Sequence, residues 1–155
     1  MSKYDAIKNL LPNDARTLLR TPRVIEVEKM GNGLFWYNGL KESLEKCLPP
    51  DLAFNKISLN FNIDGLPTAP GSSKNQFWPI LSNIVDMPQI SPIIIAIYCG
   101  DTKPPSAEEF LKKFIAELNE ILINGIQISY RIINVKVNSF ICDTPARCFI
   151  KCMYI

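Results

Sequence analysis

Residues Ile57 to Gly65 read ISLNFNIDG, and their strict alternation limits what this chain can become. Apolar Ile57, Leu59, Phe61 and Ile63 alternate with polar Ser58, Asn60, Asn62 and Asp64. That period belongs to a strand with one face in a core and the other in water. Gly65 and Pro67 stop the run, which leaves Asp64 at its tip. A second strand-like run, Phe140-Ile141-Cys142, also ends in an acid, Asp143, followed by Thr144 and Pro145. The organising expectation is that the two tips lie side by side and suit a shared metal ion.

The remaining residue types narrow the chemistry. The 155 residues contain no histidine, so Ser-His, Cys-His and His-ligated metal mechanisms are all excluded. Catalysis would have to rest on carboxylates, Lys, Tyr or Cys. A hydrophobic share of 47% with 21% charged residues describes one ordinary globular domain, large enough to bury a core. The net charge of +2 is too small to imply nucleic-acid binding by itself. Cys47, Cys99, Cys142, Cys148 and Cys152 are odd in number and fall mostly in or beside apolar runs. They read as small buried hydrophobes in a reducing compartment. The N-terminus MSKYDAIKNLL lacks the apolar core of a signal peptide, and no apolar stretch approaches the ~20 residues of a membrane span.

Along the chain, Tyr4–Leu11 is a short amphipathic piece, and LPNDARTLLRTPR carries Arg16, Arg20 and Arg23, either solvated or able to contact phosphates. Val24–Met30 reads as a strand, Gly31-Asn32-Gly33 as a turn, and Leu34–Leu48 as a helix ended by Pro49-Pro50. Residues 1–55 are thus expected to form an N-terminal arm with a short strand–helix preface, and residues 56–155 the main core. After the opening strand come the Pro/Gly/Ser loop Pro67–Asn75, the strand Gln76–Val85 and the strand Ile93–Tyr98. Short connections favour an antiparallel meander. Pro79 puts the second strand at an edge or a bulge.

Ser106–Ile123 is the clearest helix, opened by a Ser106/Glu109 capping box and closed by Asn124-Gly125. It spans roughly 27 Å, enough to return along the sheet and deliver a strand parallel to the first. Ile126–Cys142 is long for one strand, and a bulge near Asn138-Ser139, or two covered faces, would reconcile its two apolar phases. Thr144 then reads as the cap of a helix over Ala146–Cys152.

Three antiparallel strands, a crossover helix and a fourth strand parallel to the first make a mixed α/β domain resembling part of the ribonuclease H-like fold. In that topology the tips of the first and fourth strands are neighbours. Two carboxylates ~4 Å apart would repel by about 4 kcal/mol at intermediate dielectric. Mg2+ or Mn2+ would relieve the repulsion, since hard cations prefer oxygen ligands. Asp101 reads as a turn residue. Glu108 and Glu109 are candidate further acids that the helix dipole and cap already explain. Cys148 and Cys152 make at most half a zinc site. Phe35-Trp36-Tyr37 and Phe77-Trp78 suit either base stacking or core packing.

NIDGLP (62–67), FWPIL (77–81), IYCGDTKP (97–104) and ICDTPAR (141–147), in this order, resemble the start of the catalytic core of CACTA (En/Spm-like) and related eukaryotic cut-and-paste transposases. The resemblance covers roughly residues 11–152. It implies a DDE/D nuclease domain cutting DNA with Mg2+ or Mn2+, with Asp64 as first acid and Asp143 as second. It also implies a nuclear location and DNA as partner, is compatible with a homo-oligomer, and gives no membrane role. The family's third acid comes further on than Ile155, so the expectation is a truncated core that is inactive alone. The alternative expectation is a domesticated, non-catalytic protein- or DNA-binding module.

Overall fold

The alternating stretch forms the strand on which the fold is assembled. The structure, a computed structural model, describes residues 25–67 and 75–151. The readings for Tyr4–Leu11, for Arg16, Arg20 and Arg23, for most of the loop after Pro67, and for Cys152 lie outside the described residues. Strands β1 (Glu28–Met30) and β2 (Gly33–Tyr37) precede helix α1 (Leu40–Cys47). Then come β3 (Lys56–Ile63), β4 (Leu66–Pro67), β5 (Gln76–Ile84) and β6 (Ile93–Gly100). Helix α2 (Ala107–Asn124), strands β7 (Ile126–Ile128) and β8 (Arg131–Ile141), and helix α3 (Thr144–Lys151) complete the chain.

The strands make one mixed sheet in the order β1-β2-β6-β5-β3-β8-β7, with β4 alongside β5. β3, β5 and β6 form the expected antiparallel meander. After the α2 crossover, β8 returns parallel to β3. Burial along β3 follows its sequence: Ile57, Leu59, Phe61 and Ile63 are buried, and the residues between them are not.

The three helices cover one face of the sheet. Phe35 of β2 meets Phe110 edge-on at 5.9 Å, Phe61 of β3 meets Phe114 at 5.0 Å, and Trp78 of β5 meets Phe149 at 5.3 Å. These aromatic contacts join the strands to α2 and α3 through the core, each contributing about 1 kcal/mol beyond its buried area. The opposite face is divided. Leu34, Trp36, Ile97 and Cys99, with Ile25 and Val27, line an apolar hollow of about 350 Å3. Across β3 and β8 the same face is polar, with Asn60, Asn62 and Lys136.

Several local expectations are corrected. Leu34–Tyr37 is strand, because its aromatic run pairs with β6 (Phe35 opposite Tyr98, Trp36 opposite Ile97), and the helix begins only at Leu40. Gly39 at φ 90° makes the turn between them, a backbone that disfavours any residue with a side chain. With no side-chain cap on Gly39, α1 is capped from elsewhere: Glu117 Oε2 accepts from Leu40 N at 2.6 Å and from the Tyr37 hydroxyl at 2.5 Å. Pro79 lies in the interior strand β5, not on an edge, and one residue before the Ile80/Leu81 register shift against β6, in keeping with the bulge alternative. It falls between the last β3 pair (Ile63 with Ile80) and the first β4 pair (Leu66 with Phe77), where no donor is required on that side.

Ile126–Cys142 is a hairpin, reversing at Ser129 (φ 54°), and not one long strand. The bulge near Asn138 is present: Leu59 pairs with Val137 and Asn60 with Ser139, so Asn138 is the extra residue. It restores phase, letting Phe140 stack on Phe61 at 5.3 Å on the helical side, where Ile133 and Val135 are also buried. Asn60 Oδ1 accepts from both Asn138 Nδ2 (2.7 Å) and Ser139 Oγ (2.6 Å), which pins the bulge. Of the capping box at α2, only the Ser106 half is formed, with Glu109 N donating to Ser106 Oγ at 3.3 Å. The buried stripe of α2 is Phe110, Leu111, Phe114, Leu118 and Ile121, and Leu122, whose apolar character suits the same stripe, is exposed. The cysteines are less buried than their setting predicts: Cys47, Cys99 and Cys142 are half-buried and Cys148 is exposed. No described helix is long and apolar enough to cross a membrane.

Candidate functional site

Adjacent parallel strands carry the two acids to the same end of the sheet. Pairing runs Phe61 with Phe140 and Asn62 with Ile141. Two residues further along each strand are Asp64 and Asp143, side by side just past the ladder, with backbones ~5 Å apart at ordinary strand spacing. The Asn138 bulge matters here, because without the extra residue Asp64 would stand opposite Cys142.

Each carboxylate is oriented by one backbone donor. Asp64 Oδ1 accepts from Gly65 N at 2.7 Å, and Asp143 Oδ1 accepts from Ala146 N at 2.7 Å. The second bond makes Asp143, and not Thr144, the cap of α3. The helix starts at Thr144, with Pro145 in the first turn, where its missing N–H is harmless. Among the described residues, neither Oδ2 atom has a hydrogen-bond partner.

Cys142 lies within the field of both acids. Burial pushes its thiol above the ordinary range, and the charges of Asp143 and Asp64 push it further, against the Ile63 backbone and the Arg147 guanidinium. Arg147 is one helical turn beyond Asp143. Lys103 lies 5.3 Å from the centre of the Phe149 ring. Phe149 in turn packs on Trp78, whose indole covers Gly65. Cys142 therefore has the two carboxylates and the Arg147 guanidinium around it, and Lys103 lies over Phe149 on the same helix as Arg147. Sequence reasoning gave these cations no role. The available signal was the i, i+4 spacing of Asp143 and Arg147.

The other candidate acids are not drawn in. Asp101 follows β6, which β5 separates from β3. Glu108 and Glu109 are exposed in the first turn of α2, where they favour the helix dipole. Among the described residues no group of three or more acids, cysteines or histidines is arranged to hold a metal. Asp64 and Asp143 supply hard carboxylate oxygens, the donor type that a divalent cation with a shell of water takes. The two do not fit a metal pair, which needs further bridging ligands. Of the aromatic clusters, Phe35 and Trp78 are core residues, while Phe77 is partly exposed.

No protein-family model matches this chain, and neither a curated protein nor a solved structure shows significant similarity to it.

Proposed function

We propose that this chain is a transposase-derived, ribonuclease H-like domain in which Asp64 and Asp143 are the first two acids of a DDE/D metal site, and that it binds DNA without cutting it alone. The observation that carries the reading is the placement of both acids at neighbouring, in-register strand ends, with α2 as the crossover between the strands. The strand order β6-β5-β3-β8 supports the same fold assignment. Asp64 and Asp143 would hold one Mg2+ or Mn2+, whose charge would offset the repulsion of the pair, and the reading gives Lys103 and Arg147 the phosphates of a DNA strand. With two carboxylates and no third acid among the described residues arranged beside them, a metal would be weakly held, and no second ion would stabilise a leaving oxygen. A nuclear location and self-association belong to the same reading.

Calorimetric titration with MnCl2 tests it. The expected result is weak, millimolar binding that Asp64→Ala and Asp143→Asn both abolish, with no nicking of supercoiled plasmid. Binding indifferent to both substitutions refutes the shared site. A second reading, a non-catalytic interaction module, is favoured by the capping of α3, which gives Asp143 a structural task without metal. Duplex-DNA affinity that falls steeply with salt, and weakens in Lys103→Glu and Arg147→Glu, supports the DNA-binding form of either reading.

A further inference from the structure

Strand β8 is paired unequally. On one side β3 runs along it from Asn134 to Ile141, while on the other β7 covers only Arg131 to Ile133. Beyond Ile133 no described strand lies on that second side. Asn134 N donates to Asn55 O at 2.9 Å, so Asn134 directs its peptide groups toward β3. Backbone direction alternates along a strand, so Val135 and Val137 direct theirs to the open side. An open edge with unpaired donors and acceptors is a template for another strand.

Beside this edge lies a groove of about 590 Å3 between the end of β8 and α3, lined by Phe140, Ile141, Cys142, Arg147, Ile150 and Lys151. Phe140 touches Phe61 and Phe114, yet half of it is exposed to this groove side. The groove thus combines apolar surface with cations. Lys136 on β8, and Arg147 and Lys151 on α3, are exposed and form no ion pair among the described residues.

We propose that the open edge of β8, with the β8–α3 groove, takes an extended acidic strand from a partner protein. The backbone pairs with Val135 and Val137, alternate apolar side chains enter the groove beside Phe140 and Ile150, and carboxylates meet Lys136, Arg147 and Lys151. Charge decides against a second copy as occupant. β8 carries Arg131 and Lys136 and no acid, so two β8 strands would bring like charges together.

A short synthetic peptide alternating valine with glutamate is the probe, with lysine-for-glutamate and proline-interrupted peptides as controls. Fluorescence anisotropy should show binding of the first, about tenfold weaker binding of the lysine peptide, and none of the proline peptide. Arg147→Glu with Lys151→Glu should weaken the acidic peptide by about tenfold. Amide hydrogen exchange should slow at Val135 and Val137 when the peptide is added. A chelator should change none of this, which separates the inference from the fate of the metal site. Unchanged exchange at both valines overturns the proposal even if the double variant folds poorly. So does a chain that dimerises through β8, detected by sedimentation and lost in Val137→Pro, or a groove that takes duplex DNA and not the peptide.

Discussion

Replacing Asp143 in two ways separates its two tasks. Asp143→Ala removes both the charge beside Asp64 and the acceptor for Ala146 N, whereas Asp143→Asn removes the charge and keeps an acceptor. Loss of the cap costs about 1 kcal/mol. Loss of the negative charge at the start of α3 costs ~0.5 kcal/mol through the helix dipole. Against these, relief of repulsion between two carboxylates taken at the ~5 Å spacing of neighbouring strands is worth about 1 kcal/mol near the high-dielectric limit that suits an exposed group. Asp143→Asn should therefore be neutral or more stable by a few tenths of a kcal/mol, and Asp143→Ala less stable by ~0.5 kcal/mol, leaving about 1 kcal/mol between them. Urea denaturation at low and high salt measures this, and any gain in Asp143→Asn should shrink as salt screens the pair. Mn2+ at about ten times its Kd should add ~1.4 kcal/mol to the wild type. That is a rise of about 3–6 °C in Tm, absent in both variants. If Asp143→Asn is as destabilised as Asp143→Ala at every salt concentration, the two carboxylates do not repel and the paired-acid reasoning fails.

Other consequences follow from the packing. Glu117→Ala leaves Leu40 N and the Tyr37 hydroxyl without their shared acceptor and should cost about 2 kcal/mol in urea denaturation, with Glu117→Gln less harmful. Burial first, and the Glu117 carboxylate next, hold the Tyr37 phenol far above its ordinary value. The folded protein therefore keeps this proton longer than the unfolded chain: stability is complete below pH ~10 and falls as pH rises above it. Tyr37→Phe should flatten that fall between pH 9 and 11, and an unchanged profile would contradict it. Asn60→Ala, which frees Asn138 and Ser139, should cost about 1 kcal/mol by thermal unfolding. At Gly65 an added Cβ would lie 2.8 Å from the Trp78 ring, so Gly65→Ala should shift the tryptophan emission and cost about 1–3 kcal/mol.

The sequence by itself determined the elements whose periods are unambiguous. The alternation of Ile57 to Ile63 made β3, and the Ser106 cap with the stripe from Phe110 to Ile121 made α2. The two apolar phases of Ile126–Cys142 left a bulge near Asn138 or two covered faces as alternatives, and the structure has the bulge. Local periodicity specifies β3 and α2 because each buries its own apolar face whichever neighbour supplies the cover. Only the tertiary structure decided the rest. Leu34–Tyr37 has no decisive period, and it became strand because β6 offered an edge to pair with. A proline entered an interior strand because the ladders on one side stop short of it. The cap of α1 comes from Glu117, seventy-seven residues away, a partner no local motif encodes. The neighbourhood of Asp64 and Asp143 is of this second kind. Each acid is visible as a strand end, but their distance is set by the register of two parallel strands, and that register exists only when α2 packs across the sheet.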